Sequence, residues 1–155
     1  MNRIAHGTMP SDHWQQSGSV WLWRYQSNDR NYPGWHLTAD RAGAASLVEL
    51  LDKLASGDQS GMRTVQLGRP TPAILSVPNN RSAEWTSPAK LRVAFADDPN
   101  EWIFACTDVA AQLMLGRDWF PLLSTAVSRI PLGEGDFSIG PPDPNQRLWL
   151  WWYLG

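Results

Sequence analysis

Tryptophan is the residue type with the most chemistry to offer here: ten indoles, at positions 14, 21, 23, 35, 85, 102, 119, 149, 151 and 152. An indole pairs a large apolar plane with one N–H donor. A row of them can stack on a flat sugar, base or aromatic compound, anchor a protein partner, or fill a core. Two pairs stand at the spacing that puts side chains on one face of a strand, Trp21 with Trp23 and Trp149 with Trp151. Together with Trp35 they are the candidate ligand- or partner-binding residues. Burial competes with that reading, because strands favour aromatics and a buried indole needs one acceptor.

No other set of residues converges on a reaction. The histidines, at 6, 13 and 36, lack metal-ligand spacing, and with the single cysteine, Cys106, neither a zinc site nor an intrachain disulfide can be read. Cys106 has no cationic neighbour in sequence to activate it, which reads as a buried, inert thiol. His36 and Asp40 are close enough in sequence to form an acid–base pair, but a strand residue and a helix cap serve structure equally well. The run Asp97-Asp98-Pro99-Asn100-Glu101 lacks the ligand ladder and glycine of a calcium loop. The segment Gly133–Gly140 follows a helix instead of opening one, the reverse of a dinucleotide fingerprint. There is no Gly-x-Ser-x-Gly elbow and no phosphate-binding Walker pattern. The expectation is therefore no metal, no cofactor and a non-catalytic role.

The elements that must position the indoles are legible from periodicity. Residues 19–26 alternate Val20, Leu22 and Arg24 against Trp21, Trp23 and Tyr25, a strand signal. A polar turn over 27–34 leads to a short strand at 35–38. Asp40 is placed to cap a helix over 41–56, where Ala44, Leu47, Leu50, Leu51 and Leu54 recur at helical spacing, with Gly57 as the stop. A strand at 62–67 precedes a proline-rich connector over 69–88 that holds at most one extended piece, 73–77. Strands at 91–96 and 102–106 flank Asp97–Asn100 as an expected hairpin, and 111–115 is another strand. Asp118 is the expected cap of a second helix over 118–130, ended by Pro131 and Gly133. Strands at 136–139 and 148–154 close the chain. The last is apolar on both faces, which suits a covered central strand or a self-dimer seam. Its Trp-x-Trp face is expected beside that of residues 19–26.

One echo runs through this order. Val65-Gln-Leu-Gly-Arg-Pro-Thr-Pro72 lines up with Phe137-Ser-Ile-Gly-Pro-Pro-Asp-Pro144, each after a strand and an amphipathic helix. Strand, helix, strand, Gly-x-Pro-x-Pro thus occurs twice, and two half-units would share a sheet or pack back to back.

The fold class that follows is α+β: a mainly antiparallel sheet, or two small ones, of about seven to nine strands with two helices. A flexible arm over 1–18 precedes a single domain over 19–155, a length sufficient for one core without staples. A net charge of -2 argues against sequence-independent nucleic-acid binding. The longest apolar run, 148–154, falls far short of the roughly 20 residues of a membrane span. With no basic-then-apolar leader pattern at the start, the expected compartment is the cytoplasm. The leading functional reading is a binding or regulatory domain acting through a protein partner or as a homodimer. A binder of sugars or aromatic compounds that uses exposed tryptophans is the alternative. An enzyme whose site is assembled from scattered Asp, Arg and His residues is the third.

Overall fold

A computed structural model of the protein describes residues 14–26, 32–56, 61–76, 84–107 and 109–153. Residues 1–13 of the expected arm, 27–31 of the polar turn, Gly57 and 77–83 of the connector lie outside the described residues. Among the described residues, nine strands and three α-helices follow in the order β1 (Val20–Tyr25), β2 (Trp35–Ala39), α1 (Arg41–Ser56), β3 (Met62–Gln66), α2 (Pro72–Leu75), β4 (Trp85–Thr86), β5 (Lys90–Phe95), β6 (Trp102–Cys106), β7 (Ala110–Leu115), α3 (Phe120–Ser128), β8 (Phe137–Ile139) and β9 (Leu148–Leu150). The class is α+β, with two mixed, mostly antiparallel sheets ordered β4-β1-β2-β9-β8 and β3-β5-β7-β6.

The two sheets are built by exchange. In the first, the antiparallel pair β1–β2 meets the antiparallel pair β8–β9 through a parallel β2–β9 contact. In the second, the antiparallel pair β6–β7 meets β3–β5 through a parallel β5–β7 contact. Setting aside α2 and the edge strand β4, which pairs with β1, the series β1, β2, α1, β3, β5 and β6, β7, α3, β8, β9 each run strand, strand, helix, strand, strand, and each gives its last two strands to the sheet that holds the other's first two. The echo between 65–72 and 137–144 falls on matching places. Thr71 accepts a bond from Ile74 N at the start of α2, and Asp143 accepts one from Asn145 N at the start of a 3-10 turn, Pro144–Gln146. In both, a capping oxygen precedes a proline whose missing N–H costs nothing there. The glycines match too. A Cβ on Gly68 would meet Trp21 Nε1 at 2.5 Å, and one on Gly140 would meet Trp102 Cε2 at 3.3 Å, so each glycine leaves room for an indole.

Local chemistry explains the helices. Asp40 Oδ1 accepts from Gly43 N at 2.7 Å and from Ser19 N at 3.0 Å, so one carboxylate caps α1 and ties it to the start of β1. The apolar stripe of α1 is buried as its spacing requires. Each fully buried leucine stabilises the fold by about 1.5–3 kcal/mol. The inner faces of both sheets and the facing sides of α1 and α3 share one core, and the Trp35 ring stacks on Phe104 across it (5.3 Å, 3°).

Several expectations are corrected. Asp118 does not cap α3; Trp119 holds that position in helical geometry, pinned by Nε1 donating to Asn100 O at 2.9 Å. Residues 73–77 are not extended where described, because Thr71 and Pro72 start the short helix α2 instead. The turn 97–100 does not join a hairpin, since β7 lies between β5 and β6 and the tight connection is β6 to β7. The final strand stops at Leu150. Beyond it Trp151 N still donates to Leu37 O at 3.0 Å, and Thr38 Oγ1 donates to Trp151 O at 2.9 Å. The two Trp-x-Trp strands are not neighbours, because β2 runs between β1 and β9. Residues 14–17 lie along α1, with Trp14 Nε1 donating to Ser46 O at 2.8 Å and Ser17 N to Ser46 Oγ at 3.0 Å.

Candidate functional site

Strand alternation sends Trp21, Trp23 and Tyr25 to the outer face of the first sheet, with His36 and Thr38 from β2 and Trp149 from β9 beside them. His36 sits between Trp23 and Trp151, their ring centroids 5.6 and 6.1 Å from its own, with Tyr25 edge-on at 5.2 Å. Trp151 Nε1 donates to His36 Nδ1 at 3.0 Å, which leaves the ring proton on Nε2. Burial pushes His36 down to about 3, and the Tyr32 backbone, which pulls the other way, does not offset it. Among the described residues, His36 Nε2 and Trp23 Nε1 are buried without a partner of hydrogen-bonding geometry. Trp149 is half-buried and donates to Pro33 O at 3.0 Å, and Tyr153 stacks on Trp21 at 5.2 Å.

The five candidate tryptophans therefore separate. Trp21 (9% exposed), Trp23 (0%), Trp149 and Trp151 (3%) belong to this aromatic layer, where the protein's own rings cover them. Trp35 (5%) belongs to the core between the sheets. His36 and Asp40 are also apart in their bonding, His36 holding Trp151 while Asp40 holds Ser19 and Gly43.

A cleft of about 790 Å³ opens at the edge strand β4, opposite the end of β6. Arg24, Trp35, Arg69, Glu84, Trp85 and Cys106 line it, with the hydroxyls of Thr86, Ser87 and Thr107. The Arg24 guanidinium lies over the Trp35 ring at 5.8 Å and donates to Asn145 Oδ1 at 2.8 Å. Arg69, held in the Gly-Arg-Pro segment, lies over the Trp85 ring at 5.1 Å. Among the described residues, no carboxylate comes within ion-pair distance of either arginine; the pairs formed there are Arg117–Asp118 and Arg129–Glu134. Arg147 makes the contrast. Its guanidinium binds Ser138, Gly140 and Pro141 oxygens and fastens the segment before β9. A guanidinium over an indole can still turn edge N–H groups to a carboxylate or phosphate, although one of Arg24's already donates to Asn145.

Cys106 is exposed and opens into this cleft, a correction to its expected burial: the apolar alternation of β6 ends before the strand does. Trp35 is the member of the predicted set that lines the cleft. Arg24 carried a legible signal, since it breaks the inward series Val20, Leu22. Arg69, Glu84 and Trp85 did not, because they lie within what reads as a connector.

No protein-family model, no curated protein and no solved structure matches this chain. No helix among the described residues is long and apolar enough to cross a membrane, and no group of three or more metal-ligating side chains gathers among them.

Proposed function

We propose that this chain is a non-catalytic binding domain that recognises an anionic group, a carboxylate or phosphate of a partner or small molecule, in the cleft beside β4. The observation that supports it is the pair of indole-backed arginines without a carboxylate at ion-pair distance. The cleft's volume falls within the range of ligand sites, roughly 300–1,000 Å³. Trp85 supplies a flat wall, and Glu84 and three hydroxyls supply polar selection.

The test is a titration with inorganic phosphate, citrate and a glutamate-rich peptide, followed by the side-chain Nε–Hε NMR signals of Arg24 and Arg69. At least one ligand should shift both signals, and the anion that does so names the source. Arg69→Ala and Arg24→Ala should each weaken that binding about tenfold. If no anion moves either signal, or if the double variant binds as well as wild type, the reading fails.

A further inference from the structure

The cleft beside β4 holds charges of both signs that do not meet. Resting on the anion-binding reading above and narrowing it, we propose that its ligand is a small acidic amino acid or dipeptide with one ammonium group and two carboxylates. Three of the residues that line the cleft are charged: Arg24, Arg69 and Glu84. Among the described residues the ion pairs are Arg117–Asp118 and Arg129–Glu134, so no cation lies within ion-pair distance of Glu84 either.

The β1–β4 ladder keeps these groups apart. Arg24 lies opposite Thr86, and Gln26 N donates to Glu84 O at 2.9 Å, so Arg24 and Glu84 share the side of the sheet on which Leu22 enters the core. On that side Arg24 leans over the ring of Trp35, a residue of β2, and donates to Asn145 Oδ1 at 2.8 Å. Glu84 lies across β1 from that ring, because the strands run β4-β1-β2. Trp85 turns the other way, with Tyr25 into the aromatic layer, and the Arg69 guanidinium follows its ring. Two strand spacings, about 10 Å, therefore separate the strand of Glu84 from that of Trp35, and neither charge neutralises the other. An ammonium and a carboxylate about four or five bonds apart, each with a hydrogen bond of about 2.8 Å, span that gap.

Charge selects the ligand class. Two guanidinium groups against one carboxylate leave the cleft with one positive charge in excess, which two carboxylates and one ammonium match. Glu84 makes the distinction. To a ligand with carboxylates alone it presents a like charge, and to an amine it presents a partner. A ligand that is only a cation meets two arginines. The indole planes of Trp35 and Trp85 suit the methylenes of an amino-acid side chain, which inorganic phosphate lacks. A volume of about 790 Å³ leaves room for a second residue beside the first.

The experiment titrates the full chain with two matched pairs of ligands. One is glutamate against glutarate, which lacks the ammonium; the other is glycyl-glutamate against its N-acetyl form, in which that charge is gone. The side-chain Nε–Hε NMR signals of Arg24 and Arg69 report binding. In at least one pair the ammonium-bearing member should bind about tenfold more tightly, and the pair that discriminates tells amino acid from dipeptide. Glu84→Gln, at an exposed position, should remove the preference by weakening that member and strengthening its partner. Equal or reversed binding within both pairs, or a preference that survives Glu84→Gln, overturns the proposal. The anion reading then still stands if phosphate or citrate shifts both arginine signals. If no ligand of either kind moves them, both readings fall.

Discussion

The two outer sheet faces of this molecule occupy matching places in the two halves of the chain and have opposite fates. On the first sheet, β1, β2 and β9 bring Trp21, Trp23, His36 and Trp149 side by side, and Trp151 and Tyr153 fold over them. On the second, the matching strands carry Met62, Arg92, Gln112 and Ile103, and nothing described covers them. Topology alone does not decide whether a sheet face becomes core or surface. Side-chain composition decides it, together with whether the chain has a segment left to lay on top. Here that segment is 151–153, which follows β9 and, through Trp151, keeps bonding to β2.

This contrast is open to direct attack. Its largest expected consequence comes from deleting residues 148–155, which removes β9 from between β2 and β8 and uncovers the aromatic layer. The truncated chain should show no cooperative thermal or urea transition; a soluble product with a sharp transition would mean that the layer is dispensable. Next, Trp151→Ala should cost about 3–5 kcal/mol in urea unfolding, because it opens a cavity and strips His36 of its donor. Ile103→Asp on the bare face should change stability by no more than about 0.5 kcal/mol. Similar losses from the two variants would erase the distinction between the faces.

Acid should discriminate in the same way. His36 is held neutral in the fold, at about 3, while the unfolded chain binds its proton near 6.5. Below that unfolded value the unfolded state binds more protons. Stability should therefore fall as pH drops from about 6.5, by up to about 1.4 kcal/mol per pH unit, until the folded value near 3 is reached. A His36→Gln variant should show a flatter profile over that window in urea midpoints taken at a series of pH values. A wild-type profile as flat as the variant's would contradict the buried neutral imidazole. A smaller effect is expected at the sheet edge. Gln146→Ala unpairs Phe104 N–H and C=O, costing about 1 kcal/mol and exposing an edge that sedimentation should detect as self-association. Unchanged stability with a clean monomer would show that water closes that edge as well as glutamine does.

How much of this was legible in the chain follows from the range of each signal. The helix over 41–56 was readable because Asp40 and the leucine spacing act within a few residues of one another. The echo of Gly-x-Pro-x-Pro pointed to matching segments for the same reason: capping oxygen, proline and glycine are local devices. The hairpin at 97–100 misled because its turn chemistry is real, yet a longer-range ladder with β7 claims the side of β5 that β6 would have taken. The cleft was hidden because Arg69 and Trp85 meet across a connector whose composition says only that it is neither helix nor long strand.

The sequence by itself determined which segments alternate, which helix is capped, where prolines and glycines break the chain, and that tryptophan would dominate its packing. Those properties rest on neighbours within about one turn of helix or a few residues of strand. Only the tertiary structure decided that the halves exchange strands, that His36 separates the two Trp-x-Trp strands, and that one sheet face is sealed and the other bare. Strand partners are chosen by contacts far apart in sequence, and a strand apolar on both sides, such as Leu148-Trp-Leu-Trp151, carries no local mark of which face turns inward or what covers the other.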